Sequence, residues 1–460
     1  MTERRPIRVD FASPAVDPAR RAAYEAVSAV HRDDAYANLV LPRVLTERGV
    51  VGRDAAFATE LTYGSLRLTG TLDAIIASAA KRELSRIDPP VRDALRLGTY
   101  QLLRMRVPAH AAVDSTVEMV RALQPGAIGF TNAVLRQIAE RDWDAWLAEL
   151  TPADPVGRLA VTHAHPEWIV RAFVDVLGGS LDETELALAA DNTPAPVHLC
   201  ARPGRISAAE LAEQSGGDVG RYSPYTVYLA GGAPGDLPAV AQGLAQVQDE
   251  GSQLVAAALA AAPLGSADLA GADAAWLDLC AGPGGKAALL GALAVGRGAR
   301  LTAVEVTPHR AALVSRATRG LPVEVLCADG REVEGVFDRV LVDAPCTGLG
   351  ALRRRPEARW RRTPSDLPLL TRLQRELLGA ALRVVRPGGV VAYVTCSPHK
   401  VETEVTVAQA RRRSSSTVEF LDARPLLPGV PDLGAGPTVQ LWPHRHGTDA
   451  MYLALLRRTS

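Results

Sequence analysis

Two cysteines stand where covalent chemistry is expected. Cys346 closes the run Asp343-Ala344-Pro345-Cys346, and Cys396 sits in Thr395-Cys396-Ser397; each follows an apolar segment that reads as a strand, 337–342 and 390–394. A thiolate is intrinsically nucleophilic and forms readily near positive charge. Added to C6 of a cytosine, it would turn the ring into an enamine-like species whose C5 can attack an electrophilic methyl group. Two thiols at one sheet edge would divide that labour, one attacking and the other helping the adduct break down. Asp343 could hold N3 of the base, a group that gains proton affinity in the adduct. Two buried structural cysteines remain the alternative that spacing alone leaves open. The other thiols, Cys200, Cys280 and Cys327, are scattered without a C-x-x-C pair, so neither a closed zinc site nor a disulfide scaffold is expected. No metal ligand is assigned.

A ligand loop precedes the cysteines. Leu277-Asp278-Leu279-Cys280-Ala281-Gly282-Pro283-Gly284-Gly285-Lys286 reads as a strand entering a tight glycine turn and then a helix. Glycines let backbone N–H groups approach a ligand, and a helix N-terminus favours negative charge. The run lacks a full G-x-G-x-x-G, and Ala287 follows the lysine where a phosphate loop needs Ser or Thr. Glu305 closes the next strand, where a carboxylate accepts both hydroxyls of a ribose, and Asp329, ending the third, could accept from an adenine amino group or simply cap a helix. A nucleoside ligand with a charged tail fits. NAD and S-adenosylmethionine both meet that description, but hydride transfer has no need of two thiols. Basic residues are nearly all Arg, with Lys only at Lys81, Lys286 and Lys400, so Lys286 is hard to dismiss as compositional bias.

Residues 351–386 carry ten Arg against three acids. Arg353, Arg354, Arg355, Arg359, Arg361 and Arg362 surround Trp360, a combination suited to a phosphate backbone and a stacked or flipped base. A merely solvated loop is the competing reading. Arg411-Arg412-Arg413 before Ser414-Ser415-Ser416 reads as a helix end and loop.

Four regions would position these groups. Residues 1–20 are polar, Pro-punctuated and expected to fray. From 21 to 150 apolar residues recur at helix spacing, as in Leu66…Leu72…Ile75-Ile76 and Phe130…Val134-Leu135…Ile138, which predicts an all-helical bundle that packs, or binds RNA or protein. Residues 155–240 read as a small α/β subdomain with strands at 197–201 and 226–229, Cys200 buried on the first, and His163 and His165 in core or capping roles. Residues 241–460 alternate strand and helix, the pattern of a parallel sheet covered on both faces, and the polar clusters fall where such sheets bind ligands. The stretch 263–275 reads as an Ala/Gly/Asp-rich loop. Formal net charge is zero, so any nucleic-acid surface must be local. No apolar run of membrane-spanning length occurs, and a cytoplasmic, membrane-free protein is expected.

Together the glycine run, Asp343-Ala344-Pro345-Cys346-Thr347-Gly348 with Gly350, Arg354-Arg355-Pro356-Glu357 with Trp360, and Thr395-Cys396-Ser397 resemble the Sun-type RNA cytosine-C5 methyltransferases. Tyr63-Gly64-Ser65-Leu66-Arg67 and Phe130-Thr131-Asn132-Ala133-Val134-Leu135-Arg136 match the pattern of the NusB module, and this fusion is similar to the family's small-subunit rRNA members. The resemblance implies a NusB-like RNA-binding bundle, a small RNA-positioning insert and a Rossmann-like class I methyltransferase domain. It implies S-adenosylmethionine as cofactor and 16S ribosomal RNA as partner; a monomer is the expected state. It further implies Cys396 as nucleophile, Cys346 as the group assisting release, Lys286 as an active-site lysine beside Asp343, and cofactor contacts from Cys280, Ala281, Gly282, Pro283, Gly284, Gly285, Lys286, Glu305, Asp329 and Asp343. The chain departs from the family where Gly282 replaces the usual Ala, where Glu305 replaces the common Asp, and where 398–404 replaces an acidic stretch.

Overall fold

The computed structural model describes residues 16–265 and 273–460. Residues 1–15, and 266–272 of the expected loop, lie outside it. The described part of the frayed N-terminus is instead ordered. Val16 is buried, Asp17 Oδ1 accepts from Arg20 N at 3.0 Å, and a helix runs over Pro18–Arg32. Asp at the N-cap and Pro at the first helical position are start signals, which the sequence reading took for punctuation.

Packing divides the chain into two units, the first of residues up to Thr193 with Leu352–Arg361, the second of Pro194–Ala351 with Arg362–Ser460. The first unit is helical. Gly52–Arg67, Thr69–Ala80, Pro89–Arg104, Ala109–Leu123 and Ile128–Ala139 turn their apolar stripes inward and bury Leu61, Leu72, Ile75, Leu95, Val120, Leu135 and Ile138. Helix Pro89–Arg104 is buried from Ala94 through Gln101 and brings Arg96 inside, bonded to Asp73 at 2.6 Å and Asp93 at 3.0 Å. Helices Pro155–Thr162, Glu167–Val176 and Leu181–Asp191 belong to this unit rather than to the small α/β subdomain. His165 is buried there, its Nδ1 within 2.7 Å of the His163 carbonyl, the core role expected of it.

In the second unit, β1 (Val197–Ala201), β2 (Asp218–Val219), β3 (Thr226–Leu229) and β4 (Ala245–Val247) form an antiparallel sheet in the order β2-β3-β1-β4. The subdomain therefore extends past its expected end at 240, and Cys200, 2% exposed, turns away from the Leu199 and Ala201 face to pack with the core that holds Leu254, Val255 and Trp276. The larger sheet holds β5 (Ala275–Asp278), β6 (Arg300–Val304), β7 (Val323–Leu326), β8 (Phe337–Asp343), β9 (Val385–Thr395), β10 (Val418–Leu421), β11 (Val439–Gln440) and β12 (Tyr452–Arg458). Its order is β10-β12-β9-β8-β5-β6-β7, with β11 beside β12. Strands β5 to β9 run parallel, and β10, β11 and β12 join antiparallel, which strand–helix rhythm did not foretell. The turn expected at Pro387-Gly388-Gly389 lies within β9, at a register irregularity opposite Phe337 and Arg339. Buried on both faces, Val340, Leu341, Val342, Val391, Ala392 and Val394 explain the near-continuous apolar runs.

From β5 the chain winds outward through β6 and β7, then returns to lay β8 on the other side of β5. Such a reversal opens a crevice beyond the carboxyl ends of the two central strands. Into it run the segments after Asp278 of β5 and Asp343 of β8. No helix among the described residues is long and apolar enough to cross a membrane.

Candidate active site

The cofactor loop leaves β5 at Asp278 and turns into the helix Gly285–Val295 through Gly284, whose φ of 115° only glycine adopts without strain. Gly282 lies so close to Glu305 that a Cβ there would come within 2.2 Å of Oε2. Glu305 is 4% exposed at the end of β6; its Oε1 accepts from Thr307 N at 2.9 Å, and Oε2 lies 3.5 Å from Arg310. Arg310 in turn donates to the Gly282 carbonyl at 2.6 Å. Cys280 is half-buried among carboxylates, and partial removal from water first, then Asp278 and Asp343, pushes its thiol well above the ordinary range. It therefore contributes backbone to the loop and no reactive sulfur.

Asp278, which the sequence reading passed over, is wholly buried. Its Oδ1 accepts from Cys280 N at 3.2 Å, and its Oδ2 has no hydrogen-bond partner. Burial, reinforced by Asp343, raises its pKa to about 7. The signal was present, an acid closing an otherwise apolar strand, but strand patterning does not reveal an orphaned oxygen. Asp329 is half-buried on a short turn, where it caps Arg331 N at 2.9 Å and pairs with the Arg331 guanidinium at 2.6 Å. That guanidinium holds its carboxyl below the usual range. The capping alternative is thus the contact present, and an adenine amino group would have to share this carboxylate.

Lys286, one residue into the helix, reaches the end of β8 and donates to Asp343 Oδ2 at 2.8 Å. Burial pulls its pKa down, but the Asp343 carboxylate and the Cys396 sulfur outweigh it and leave a net rise. The lysine is charged and faces the thiols. Because β8 and β9 are neighbours, with Asp343 in register with Val394 and Ala344 N donating to Val394 O at 2.9 Å, the loops beyond them meet. Cys346 Sγ lies 3.4 Å from Cys396 Sγ. The hydrogen bond to Cys396, and then burial, raise the Cys346 pKa well above the ordinary thiol value, so Cys346 keeps its proton while facing Cys396. Structure therefore joins Lys286, Asp343, Cys346 and Cys396, with the cofactor loop and Glu305, at one sheet edge.

This donor set discriminates between ligands. Asp278, Glu305 and Asp343 are acidic, Lys286 is already paired, and Arg310 is engaged by Glu305 and the Gly282 carbonyl. A pyrophosphate would meet net negative charge here. A ribose offering hydroxyls to Glu305, with a tail bearing ammonium and sulfonium groups, meets complementary charge.

The Arg-rich segment behaves differently from expectation. Residues 352–361 pack within the helical unit, where Arg353 and Arg359 are buried. Arg359 Nη1 donates to the carbonyls of Arg67 at 3.0 Å and Ala164 at 3.1 Å and to Asn192 Oδ1 at 2.8 Å. Burial pushes its pKa down to about 10. Arg361 donates to Val30 O at 2.9 Å and to Ala35 O, and lies over the Tyr36 ring. Arg359 and Arg361 thus give donors to protein acceptors rather than to phosphate, and Arg353 is buried. Arg355 and Trp360 are exposed, and Arg354 and Arg362 partly so. Arginine-rich composition could not separate guanidinium groups that clasp carbonyls from those that face solvent.

Residues 269–457 match the model of the 16S rRNA methyltransferase RsmB/F family, and residues 17–140 that of the NusB family. The chain is 59% identical over 450 residues to "Putative methyltransferase Rv1407" of Mycobacterium tuberculosis, an alignment spanning 96% of this chain and 97% of that one. It is 32% identical to the ribosomal RNA small subunit methyltransferase B of Erwinia tasmaniensis, across 91% and 93% of the two chains. The crystal structure of PH0851 shares the fold with a TM-score of 0.80 at 24% identity, across 96% of this chain and 99% of that one. Matching architecture and near full-length similarity agree: the chain belongs to the 16S rRNA methyltransferase RsmB/F family.

Proposed function

We propose that this protein transfers a methyl group from S-adenosylmethionine to C5 of a cytosine in 16S ribosomal RNA, through a covalent adduct between Cys396 and C6. The observation that carries the reading is the pair of sulfurs 3.4 Å apart, in loops beyond the same sheet edge as a lysine–carboxylate pair. S-adenosylmethionine, when bound, supplies an electrophilic methyl on sulfur. Glu305 would accept the ribose hydroxyls, and the unpartnered oxygen of Asp278 would face the positive tail.

Lys286 favours the Cys396 thiolate by its charge. Asp343 would hold N3 of the cytosine as that nitrogen gains proton affinity. Addition of the Cys396 sulfur to C6 places electron density on C5, which takes the methyl; loss of the C5 proton and departure of the sulfur then restore the ring. Cys346 has its proton held chiefly by the Cys396 sulfur beside it. Once that sulfur is bonded to C6 the hold weakens; Cys346 then passes its proton to solvent, and the resulting thiolate takes the C5 proton while the electrons of the breaking C6–S bond return to the Cys396 sulfur. In the helical unit, Arg355 and Trp360 offer an exposed guanidinium and indole for RNA, consistent with the expectation of a NusB-like binding module.

The test is to trap the full chain on 16S RNA fragments containing 5-azacytidine and to map the linked residue, with tRNA as the competing substrate. A Cys396 adduct on the 16S fragment is expected, and Cys346→Ala should accumulate an adduct on ordinary RNA. Binding without a Cys396 adduct, or normal turnover by C346A, would overturn the assigned roles.

A further inference from the structure

We propose that Glu402 is the positioning residue that sets both thiols at their working separation. The pairing of β8 with β9 ends at Asp343 and Val394, so sheet register alone does not fix the loops that carry the sulfurs. Glu402 does. It is wholly buried, and each carboxylate oxygen meets two donors. Oε1 accepts from Thr347 N at 2.8 Å and from Gln374 Nε2 at 3.0 Å. Oε2 accepts from Ser397 Oγ at 2.7 Å and from Thr347 Oγ1. Thr347 directly follows Cys346, and Ser397 directly follows Cys396. One carboxylate therefore ties the two loops together a single residue past each sulfur. Gln374 extends the clamp by donating to the Pro345 carbonyl at 2.8 Å, and the Tyr393 hydroxyl fixes Glu402 itself by donating to its carbonyl at 2.7 Å.

A carboxylate is the one side chain that accepts four such bonds and donates none. An amide could keep the clamp by donating to the two hydroxyls, which can turn to accept; replacing Glu402 with methionine removes the acceptors of all four bonds, and the loops must part. Displacement of reacting groups by about 1 Å costs on the order of 10²-fold in rate. Glu402 touches neither thiol: its charge helps to raise the Cys346 pKa, so losing that charge would speed thiol oxidation, whereas losing its positioning through Thr347 and Ser397 would slow it.

The inference rests on the thiol chemistry proposed above, and the experiment separates the two. In the full chain without RNA or cofactor, diamide closes the Cys346–Cys396 disulfide, taking up two electrons and two protons as it becomes the hydrazine. Glu402→Met should slow closure by about tenfold or more, and in turnover should lower kcat by about 10²-fold with KM for RNA and cofactor held. Ser397→Ala should slow adduct formation, whereas Thr347→Val should slow adduct release, because each frees a different loop. A folded E402M that closes the disulfide at the parental rate, or that loses only KM, overturns the proposal. If E402M does not fold, the same readings on S397A and T347V decide. Failure of the parent to form any RNA adduct would instead sink the methyl-transfer reading, while the disulfide measurement would still report on Glu402.

Discussion

Arg359 separates two accounts of the arginine-rich segment, one in which it grips RNA and one in which it holds protein. Its guanidinium is buried and donates to the Arg67 and Ala164 carbonyls and to Asn192 Oδ1. Arg359→Met keeps much of the volume and removes the donors. Each buried acceptor left without a partner costs about 1–3 kcal/mol. Against that loss stands the cost of burying the charge, which the fall from 12.5 to about 10 puts near 3 kcal/mol. The acceptor losses exceed it, and a net destabilisation of about 2–4 kcal/mol is expected. Urea unfolding followed by far-UV circular dichroism reads this directly. Arg355→Ala is the comparator, because Arg355 is exposed: stability should stay within about 0.5 kcal/mol, while the salt slope of RNA binding falls by about one. If R359M unfolded like the parent yet bound RNA weakly with a shallower salt slope, the structural role of Arg359 would be refuted.

Two further outcomes follow from the cofactor pocket. Asp278 holds its proton to about pH 7 when folded but releases it near the ordinary aspartate value of 3.8 when unfolded, so the parent loses stability as pH rises between those values, by at most about 4 kcal/mol. Asp278→Asn should abolish that slope and gain on the parent between about pH 5 and 7, while weakening cofactor binding in calorimetry; an unchanged slope would mean that Asp278 is not the group responsible. A Cβ at Gly282 would stand 2.2 Å from Glu305 Oε2, so Gly282→Ala should weaken cofactor binding through about 1–3 kcal/mol of overpacking. Adding Glu305→Asp should restore it, and strictly additive losses in the double variant would disprove the coupling.

The parts of the fold that sequence made legible are those with a local period. Ile75-Ile76 and Leu135…Ile138 carry the helix repeat and lie in the helical core; β8 and β9 carry the apolar runs of a sheet buried on both faces. What escaped depends on partners distant in the chain. β12 is another apolar run, and only pairing with β9 and β10 makes it antiparallel. Residues 352–361 read as part of a basic loop in the catalytic half, yet they pack with helices hundreds of positions away, because acceptors such as Arg67 O and Ala164 O carry no side-chain signature.

The same division runs through the site. Cys346, Cys396 and Asp343 could be singled out because their residue types are reactive and stand at or just past the end of a strand, and Lys286 because it is one of three lysines and follows a glycine turn. Glu402 could not, since nothing local distinguishes it from Glu404, which opens the next helix; only the meeting of Thr347, Ser397 and Gln374 around it gives it a role. The departures from the family pattern teach the same point. Gly282 for Ala and Glu305 for Asp look like two mild, separate changes along the chain. In the structure the longer acid places Oε2 where an alanine methyl group would need to be, so the added methylene of one and the missing methyl of the other occupy one space. A carboxylate kept at the end of β6 with a longer arm requires the loop to give up its side chain, and the two departures are a single steric exchange.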